Sequence, residues 1–140
     1  MTLTARYRFS ASHRLDTEAL TPEENRQLYG KCNNPHGHGH NYILEVTVAG
    51  EPDPKTGMVL DLRELKGILD REVTQRMDHR HLNYEVPELA GKIPTCEEIA
   101  TVLWRILEPK IHHGRLDRIR LYESPDLFVD CTADGMKDAR

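Results

Sequence analysis

The first segment of the chain alternates between apolar and polar residues. In residues 4–13 one parity carries alanine, aromatic and histidine side chains, and the other carries arginine and serine. Successive side chains of a strand point to opposite faces, so this segment is predicted to be a half-buried β-strand. His13 lies at its end, on the apolar face.

Residues 38–48 form a second alternating segment. One face of the predicted strand carries His38, His40, Tyr42, Leu44, Val46 and Val48. Residues 50–57 are rich in turn formers, so residues 58–60 are predicted to pair back as a hairpin strand. The strand beginning at His38 therefore opens with two histidines on its apolar face.

Two more strands are predicted near the end of the chain. Residues 116–123 alternate, with Glu123 on the face that also carries Ile119 and Leu121. Residues 127–131 form a short last strand. A carboxylate on an apolar face is costly to bury unless it binds something, so Glu123 is a candidate site residue; a structural salt bridge is the alternative.

Capping residues predict three helices between these strands. Thr21 and Glu24 have the spacing of a capping box, and Gly30 can close that short helix. A second helix is predicted from Asp61, with Glu64 completing its capping box. Its core stripe consists of Leu62, Leu65, Ile68, Leu69 and Val73.

The third predicted helix begins at Thr95, which has capping-box spacing to Glu98, and it stops at Pro109. The order of elements predicts an α+β domain, with an antiparallel sheet covered on one face by two long helices. Residues 1–132 form this single domain, and residues 133–140 are predicted to be a frayed polar tail.

The composition is that of a globular protein able to form its own core. The chain has 140 residues, of which 38% are apolar and 30% charged, with a net charge of -4. No basic cluster is present that could neutralise a run of phosphates, which disfavours a nucleic-acid partner. The first residues lack the features of a secretory signal, and no segment reaches membrane-spanning length. Three widely spaced cysteines fit a reducing compartment, and we expect a cytoplasmic protein.

The histidines of the second strand predict a metal site. His38 and His40 are two residues apart, so their imidazoles can converge on one ion, and His13 is the best third ligand. Three neutral imidazoles with an open fourth position are typical of catalytic zinc. His36 and His38 have the same spacing, although strand register favours His38 and His40. The alternative interpretation is a set of histidines without metal.

Several acid or base candidates surround this cluster in sequence. Cys32 follows Lys31, whose charge could lower the thiol pKa; the alternative is a small buried apolar residue. Asp78 and His79 lie after a helix, where they could relay a proton or form a solvated pair. Glu97 could meet a ligand or serve only in helix capping. The remaining histidines, namely His81, His112 and His113, are predicted to lie on the surface.

At these positions the sequence resembles the 6-pyruvoyl tetrahydropterin synthase family, which includes the 6-carboxytetrahydropterin synthases. The matching segments run in order along nearly the whole chain. They are residues 9–15 (FSASHRL), 30–35 (GKCNNP), 38–42 (HGHNY), 53–59 (DPKTGMV), 77–83 (MDHRHLN), 94–97 (PTCE) and 122–123 (YE). So many ordered matches make the resemblance specific.

The resemblance implies a function for each candidate residue. His13, His38 and His40 are expected to bind zinc, and Cys32 is expected to be the catalytic base. Asp78 and His79 complete a triad across a subunit boundary, and Glu123 also has a relay role. The expected substrate-binding residues are Thr95, Glu97 and Glu123. The implied fold is the tunnelling fold, in which three subunits close their sheets into a barrel and two trimers stack as a homohexamer.

Two reactions are open to such a protein. The spacing from Cys32 to His38 resembles the pyruvoyl-forming enzymes, which act on 7,8-dihydroneopterin triphosphate and release triphosphate. The carboxy-forming relatives, which serve deazaguanine (queuosine) synthesis, usually have the shorter spacing that Cys32 and His36 satisfy. The residues after His40 favour the pyruvoyl reaction. A zinc- or pterin-binding module without catalysis is the alternative outside the enzymes.

Overall fold

The computed structural model describes residues 1–138 and contains one five-stranded sheet. Its order is β3-β1-β2-β4-β5. The strands are β1 (Thr2–His13), β2 (His38–Ala49), β3 (Arg80–His81), β4 (Arg115–Ser124) and β5 (Leu127–Thr132). All neighbours are antiparallel except β1 and β3, which form a short parallel pair. The predicted α+β class is confirmed, but the sheet is mixed because two residues after a helix pair with the edge of β1.

Six α-helices connect or follow these strands within residues 1–138. They are α1 (Pro22–Tyr29), α2 (Leu62–Leu69), α3 (Gln75–Met77), α4 (Leu82–Glu85), α5 (Cys96–Leu107) and α6 (Ala133–Asp138). A π-helical segment, Asp70–Thr74, joins α2 to α3 into one long helical run. The core between helices and sheet is built from large, fully buried side chains, among them Trp104, Tyr42, Leu44, Leu65, Leu69 and Ile119.

The alternation predicted for the first strand is observed. Along β1 the residues Phe9, Ala11 and His13 are buried, and their sequence neighbours are not. The opposite face of the sheet is polar: Arg6 and Arg118 both reach Glu45, at 2.8 and 3.4 Å. One face of the sheet therefore carries the core and the histidines, and the other carries paired charges.

Two of the predicted helix starts differ from the structure. Asp61 accepts a hydrogen bond from the Arg63 amide at 2.8 Å, but the Glu64 carboxylate lies 3.3 Å from His113 and completes no capping box. Thr95 accepts from the Glu98 amide at 3.2 Å, whereas the Glu98 carboxylate pairs with Lys92. In both cases a nearby basic side chain takes the carboxylate. The capping box of Thr21 and Glu24 is complete.

Two further predictions about local structure are wrong. Residues 58–60 form no strand; the segment is a loop in which the Asp53 amide donates to the Met58 carbonyl at 2.9 Å. Instead of fraying, Ala133–Asp138 forms α6, because Met136 packs into the core at 9% exposure. Residues 139 and 140 of the predicted tail lie outside the described residues.

No helix among residues 1–138 is long and apolar enough to span a lipid bilayer.

Candidate metal centre and active site

Three histidines meet where β1 ends and β2 begins. The antiparallel register sets His13 opposite His38, and Ala11 opposite His40. The ring centroids of the three histidines lie between 4.6 and 5.1 Å apart. The convergence predicted from strand alternation is therefore observed, and the role of these residues as metal ligands stays a prediction.

His13 is oriented by a contact outside the cluster. Its ring is fully buried, and its Nδ1 lies 2.8 Å from the Pro94 carbonyl oxygen. A carbonyl only accepts, so Nδ1 carries the proton and Nε2 is left with a free lone pair. Burial lowers the pKa of His13 to about 4, against the opposing effect of the Pro94 carbonyl. At neutral pH the ring is therefore uncharged, and its Nε2 faces Nε2 of His38 at 3.2 Å.

His40 has a buried ring nitrogen that finds no hydrogen-bond partner in the described part of the chain. Its Nε2 lies 3.5 Å from a carboxylate oxygen of Glu123. Burial has the largest effect on the pKa of His40 and lowers it, whereas the charge of Glu123 raises it. The pair is therefore not a formed ion pair at neutral pH. A buried polar atom without a partner is rare in folded proteins, and a metal ion would satisfy this one.

The ligand atoms around these histidines are close enough to hold a metal ion. Within residues 1–138, two groups have all their ligand atoms within 4.8 Å of one another: His13, Cys32 and His38, and His13, His40 and Glu123. Both groups share His13. His36 is exposed, and it belongs to neither group. The donor set, neutral imidazoles with a thiol and a carboxylate beside them, suits a transition metal.

Cys32 lies in a short 3-10 turn, Gly30–Asn33, that is tied to the end of β1. The Leu15 amide donates to the Cys32 carbonyl at 2.7 Å, and the Asn33 side chain donates to the Leu15 carbonyl at 2.7 Å. Burial, and then the charge of Glu123, raise the pKa of the Cys32 thiol. The expectation that Lys31 lowers this pKa is therefore wrong: Lys31 is exposed, and burial and the charge of Glu123 raise the pKa of the thiol.

Asp78 and His79 are tied to the middle of β1. Asp78 accepts a hydrogen bond from the Ser10 amide at 2.9 Å, and the His79 amide donates to the Ser10 carbonyl at 2.6 Å. The Ser10 amide is the main cause of the lowered pKa of Asp78. His79 Nδ1 lies 3.0 Å from Asp78 Oδ2, and the His79 side chain is 84% exposed. His79 also has a φ of 59°, an uncommon conformation for a residue other than glycine.

A cavity of about 610 Å³ joins several of these groups. Asp78, His40, Tyr42 and Glu123 all contribute to its lining, so Asp78 shares a space with the histidine cluster. The side chain of Cys32 does not line this cavity; its Sγ lies beside the ligand atoms of His13 and His38. The predicted site residues of β2, β4 and the α3–β3 loop are thus brought together.

Thr95 and Glu97 stand at the start of α5. The Thr95 hydroxyl caps the helix, and Glu97 is exposed in its first turn. Burial, then Glu123, then Glu97, raise the pKa of the intervening Cys96 to about 12. The Cys96 thiol, next to Glu97 in the sequence, donates to the Leu121 carbonyl at 3.4 Å, so the start of α5 lies beside the part of β4 that carries Glu123.

Two residues near the site were missed by sequence reasoning. His81 was predicted to lie on the surface, but its Nδ1 is buried and its ring lies against Gly37. His112 and His113 are exposed, as predicted. Tyr42 is fully buried, and its hydroxyl has no hydrogen-bond partner among the residues that the structure describes. Its parity with His38 and His40 was the available signal, but this parity alone is equally typical of a core residue.

Comparison with known proteins agrees with this geometry. The family described as 6-pyruvoyl tetrahydropterin synthase matches residues 2–134. The 6-pyruvoyl tetrahydrobiopterin synthase of Homo sapiens is 45% identical over 124 residues, which cover 89% of this chain and 86% of the human protein. The 6-carboxy-5,6,7,8-tetrahydropterin synthase of Rickettsia felis is 31% identical over 111 residues, covering 66% of this chain and 80% of that protein.

A solved structure shows the same fold. The 6-pyruvoyl tetrahydropterin synthase of Caenorhabditis elegans superposes with a TM-score of 0.89 at 34% identity, covering 95% of each chain. This chain belongs to the 6-pyruvoyl tetrahydropterin synthase family.

Proposed function

We propose that this chain is a zinc-dependent 6-pyruvoyl-tetrahydropterin synthase. It would convert 7,8-dihydroneopterin triphosphate into 6-pyruvoyl-tetrahydropterin and inorganic triphosphate. Hydrogens move from the side chain to the ring, so the redox change is internal and needs no external electron carrier. The observation that carries the proposal is the buried Nε2 of His40, which no group within residues 1–138 satisfies, beside the imidazoles of His13 and His38.

His13, His38 and His40 would hold the zinc ion. Their rings meet at one end of the sheet, and His13 is oriented through its Nδ1 by the Pro94 carbonyl, as metal-binding histidines usually are. A zinc ion bound there would polarise hydroxyl oxygens of the substrate side chain. Cys32 and Glu123, each close to the cluster, remain available for proton transfer.

Cys32 is the proposed base. Its Sγ lies within 4.8 Å of the ligand atoms of His13 and His38, so it adjoins the position where the substrate side chain would bind. As a thiolate it would remove a carbon-bound proton next to the developing ketone. Glu123, from the other side of the cluster, would relay a proton and help hold the pterin.

Asp78 and His79 would return protons during tautomerisation. The Asp78 carboxylate orients His79 through the 3.0 Å contact with Nδ1, while the imidazole faces solvent in the single chain. Such an exposed, oriented imidazole fits a site completed by a second subunit. We propose that the chain forms the homohexamer of the tunnelling fold, with the sheets closing into barrels. The free thiols of the three cysteines support a cytoplasmic location.

Thr95, Glu97 and Glu123 would bind the pterin. The guanidine-like edge of a pterin presents N–H donors, and carboxylates are their natural acceptors. Glu97 lies in the first turn of α5, and Cys96 of the same turn contacts β4 at Leu121, two residues before Glu123. The Thr95 hydroxyl accepts a hydrogen bond from the Glu98 amide in the cap of α5. Thr95 would therefore contribute to pterin binding from this capping turn.

The competing reaction forms 6-carboxytetrahydropterin and acetaldehyde. His36, which would give the shorter cysteine–histidine spacing of that reaction, is exposed and outside the cluster. The pyruvoyl-forming human relative is 45% identical, against 31% for the carboxy-forming one. Both observations favour the pyruvoyl reaction.

Product analysis tests the proposal. Zinc-loaded protein is incubated with 7,8-dihydroneopterin triphosphate, the pterin is identified by mass spectrometry, and triphosphate and acetaldehyde are quantified. We expect triphosphate and the pyruvoyl product, with the rate lowered at least about 100-fold in Cys32→Ala. Cys131→Ala, which removes a thiol of β5 outside the site, is the matched control and should keep its activity. Acetaldehyde would establish the alternative reaction, and pterin binding without turnover would establish a binding module.

A further inference from the structure

The hydroxyl of Tyr42 is a buried hydrogen-bond donor to which residues 1–138 offer no partner. The side chain is fully buried, and no protein atom among the described residues accepts its proton. Burying a hydroxyl without a hydrogen-bond partner is unfavourable for folding. A tyrosine at this position is therefore less favourable for folding alone than a phenylalanine of the same shape.

The ring of Tyr42 is held so that the hydroxyl cannot turn away to find a partner. Phe9 of β1 stacks on it with centroids 4.9 Å apart and planes at 12°. The ring of His40 lies edge-on at 5.7 Å. Both neighbours are on the same face of the sheet, so the direction of the phenol is set by β1 and β2.

The hydroxyl is directed toward the reacting groups. Tyr42 shares its strand face with His38 and His40, and with His40 and Glu123 it lines the cavity of about 610 Å³. Burial, and then the charge of Glu123, raise the pKa of Tyr42, so the phenol keeps its proton at neutral pH.

We propose that the Tyr42 hydroxyl contacts the substrate: it donates a hydrogen bond to a side-chain oxygen of the pterin bound beside the histidine cluster. This inference rests on the proposed function and adds a residue to it. A donor already fixed in a buried site stabilises negative charge on an oxygen without reorganisation. Such charge develops when the adjacent carbon loses its proton. The phenol keeps its own proton throughout, so no additional reactant is needed.

The test compares Tyr42→Phe with Tyr7→Phe in the zinc-loaded protein. Tyr7 lies on the same face of the sheet, but its hydroxyl accepts a hydrogen bond from Thr74 Oγ1 at 3.2 Å. For Tyr42→Phe we expect an unchanged or higher melting temperature, unchanged zinc content, and a kcat lowered roughly tenfold or more. Its affinity for phosphate-free 7,8-dihydroneopterin, measured by calorimetry, should also fall. Tyr7→Phe should show the reverse: a lower melting temperature with unchanged turnover and affinity.

The outcomes separate this inference from the proposed function. Wild-type protein that binds dihydroneopterin but does not turn over the triphosphate would refute the proposed reaction, and the affinity of Tyr42→Phe would still test the contact. Wild-type kcat and affinity in Tyr42→Phe would overturn the inference. A loss of zinc or of thermal stability in Tyr42→Phe would also overturn it, because the hydroxyl would then have a structural role.

Discussion

Replacing Gly37 by alanine tests whether close backbone approach builds the histidine cluster. Gly37 precedes His38 and has a φ of 76°, which is unfavourable for any residue with a Cβ. An added Cβ would lie 2.8 Å from His81 Nε2 and 2.9 Å from the His13 carbonyl oxygen. The imidazole of His81 can rotate, but the carbonyl belongs to the β1 backbone. Relief of the contact must therefore move His13 or His38.

The magnitude follows from two separate contributions. The left-handed backbone conformation costs an L-residue about 1–2 kcal/mol. Overpacking against backbone adds about 1–3 kcal/mol, so Gly37→Ala should lose about 2–5 kcal/mol. At 140 residues each kcal/mol corresponds to roughly 3 °C in melting temperature. Displacement of a ligand should also weaken zinc binding roughly 10–100-fold, by analogy with the loss of a hydrogen-bond partner that orients a metal ligand.

Gly57→Ala provides the matched control. Gly57 has nearly the same φ, 72°, but an added Cβ would meet nothing within 4 Å. It should therefore show only the conformational loss, with zinc affinity unchanged. Thermal melting of the metal-free proteins and zinc titration against a competing chelator measure the two effects. Equal melting temperatures and equal zinc affinities in the two variants would refute the steric argument.

Two further predictions concern the histidines. His40→Asn should lose zinc while His36→Asn keeps it, as measured by metal analysis of the purified proteins; the opposite result would assign His36 as the ligand. The second concerns pH: the pKa of His13 falls from 6.5 to about 4 on folding, so its neutral form is favoured in the folded state. The contribution of His13 to the free energy of unfolding is complete above pH 6.5 and is lost as the pH falls toward 4. Metal-free protein should thus lose roughly 3 kcal/mol of unfolding free energy over this range, measured by denaturant unfolding. The same dependence of stability on pH in His13→Asn would show that His13 is not its cause.

The strands and the convergence of the histidines could be predicted because both depend on a local period. Once β1 and β2 alternate and pair, His13, His38 and His40 must share a face. The β1–β3 pair could not be predicted in this way, since it consists of two residues, Arg80 and His81, placed by the packing of the preceding helix.

Other features depended on which groups become neighbours in the folded chain. The pKa of Cys32 rises because of burial and Glu123, which is 91 positions later in the sequence. Lys31, its sequence neighbour, is exposed. Likewise, α6 forms because Met136 finds a place in the core, and nothing in the polar composition of that segment indicated this contact.

The pairing of His13 with His38 makes the proposed metal site a sensor of correct strand register. A slip of one residue between β1 and β2 would turn one set of histidines to the opposite face of the sheet. Misregistered molecules would then lack a complete ligand set even if they retained all their secondary structure. Zinc stoichiometry would in that case count the correctly assembled fraction of a preparation, a property that circular dichroism cannot report.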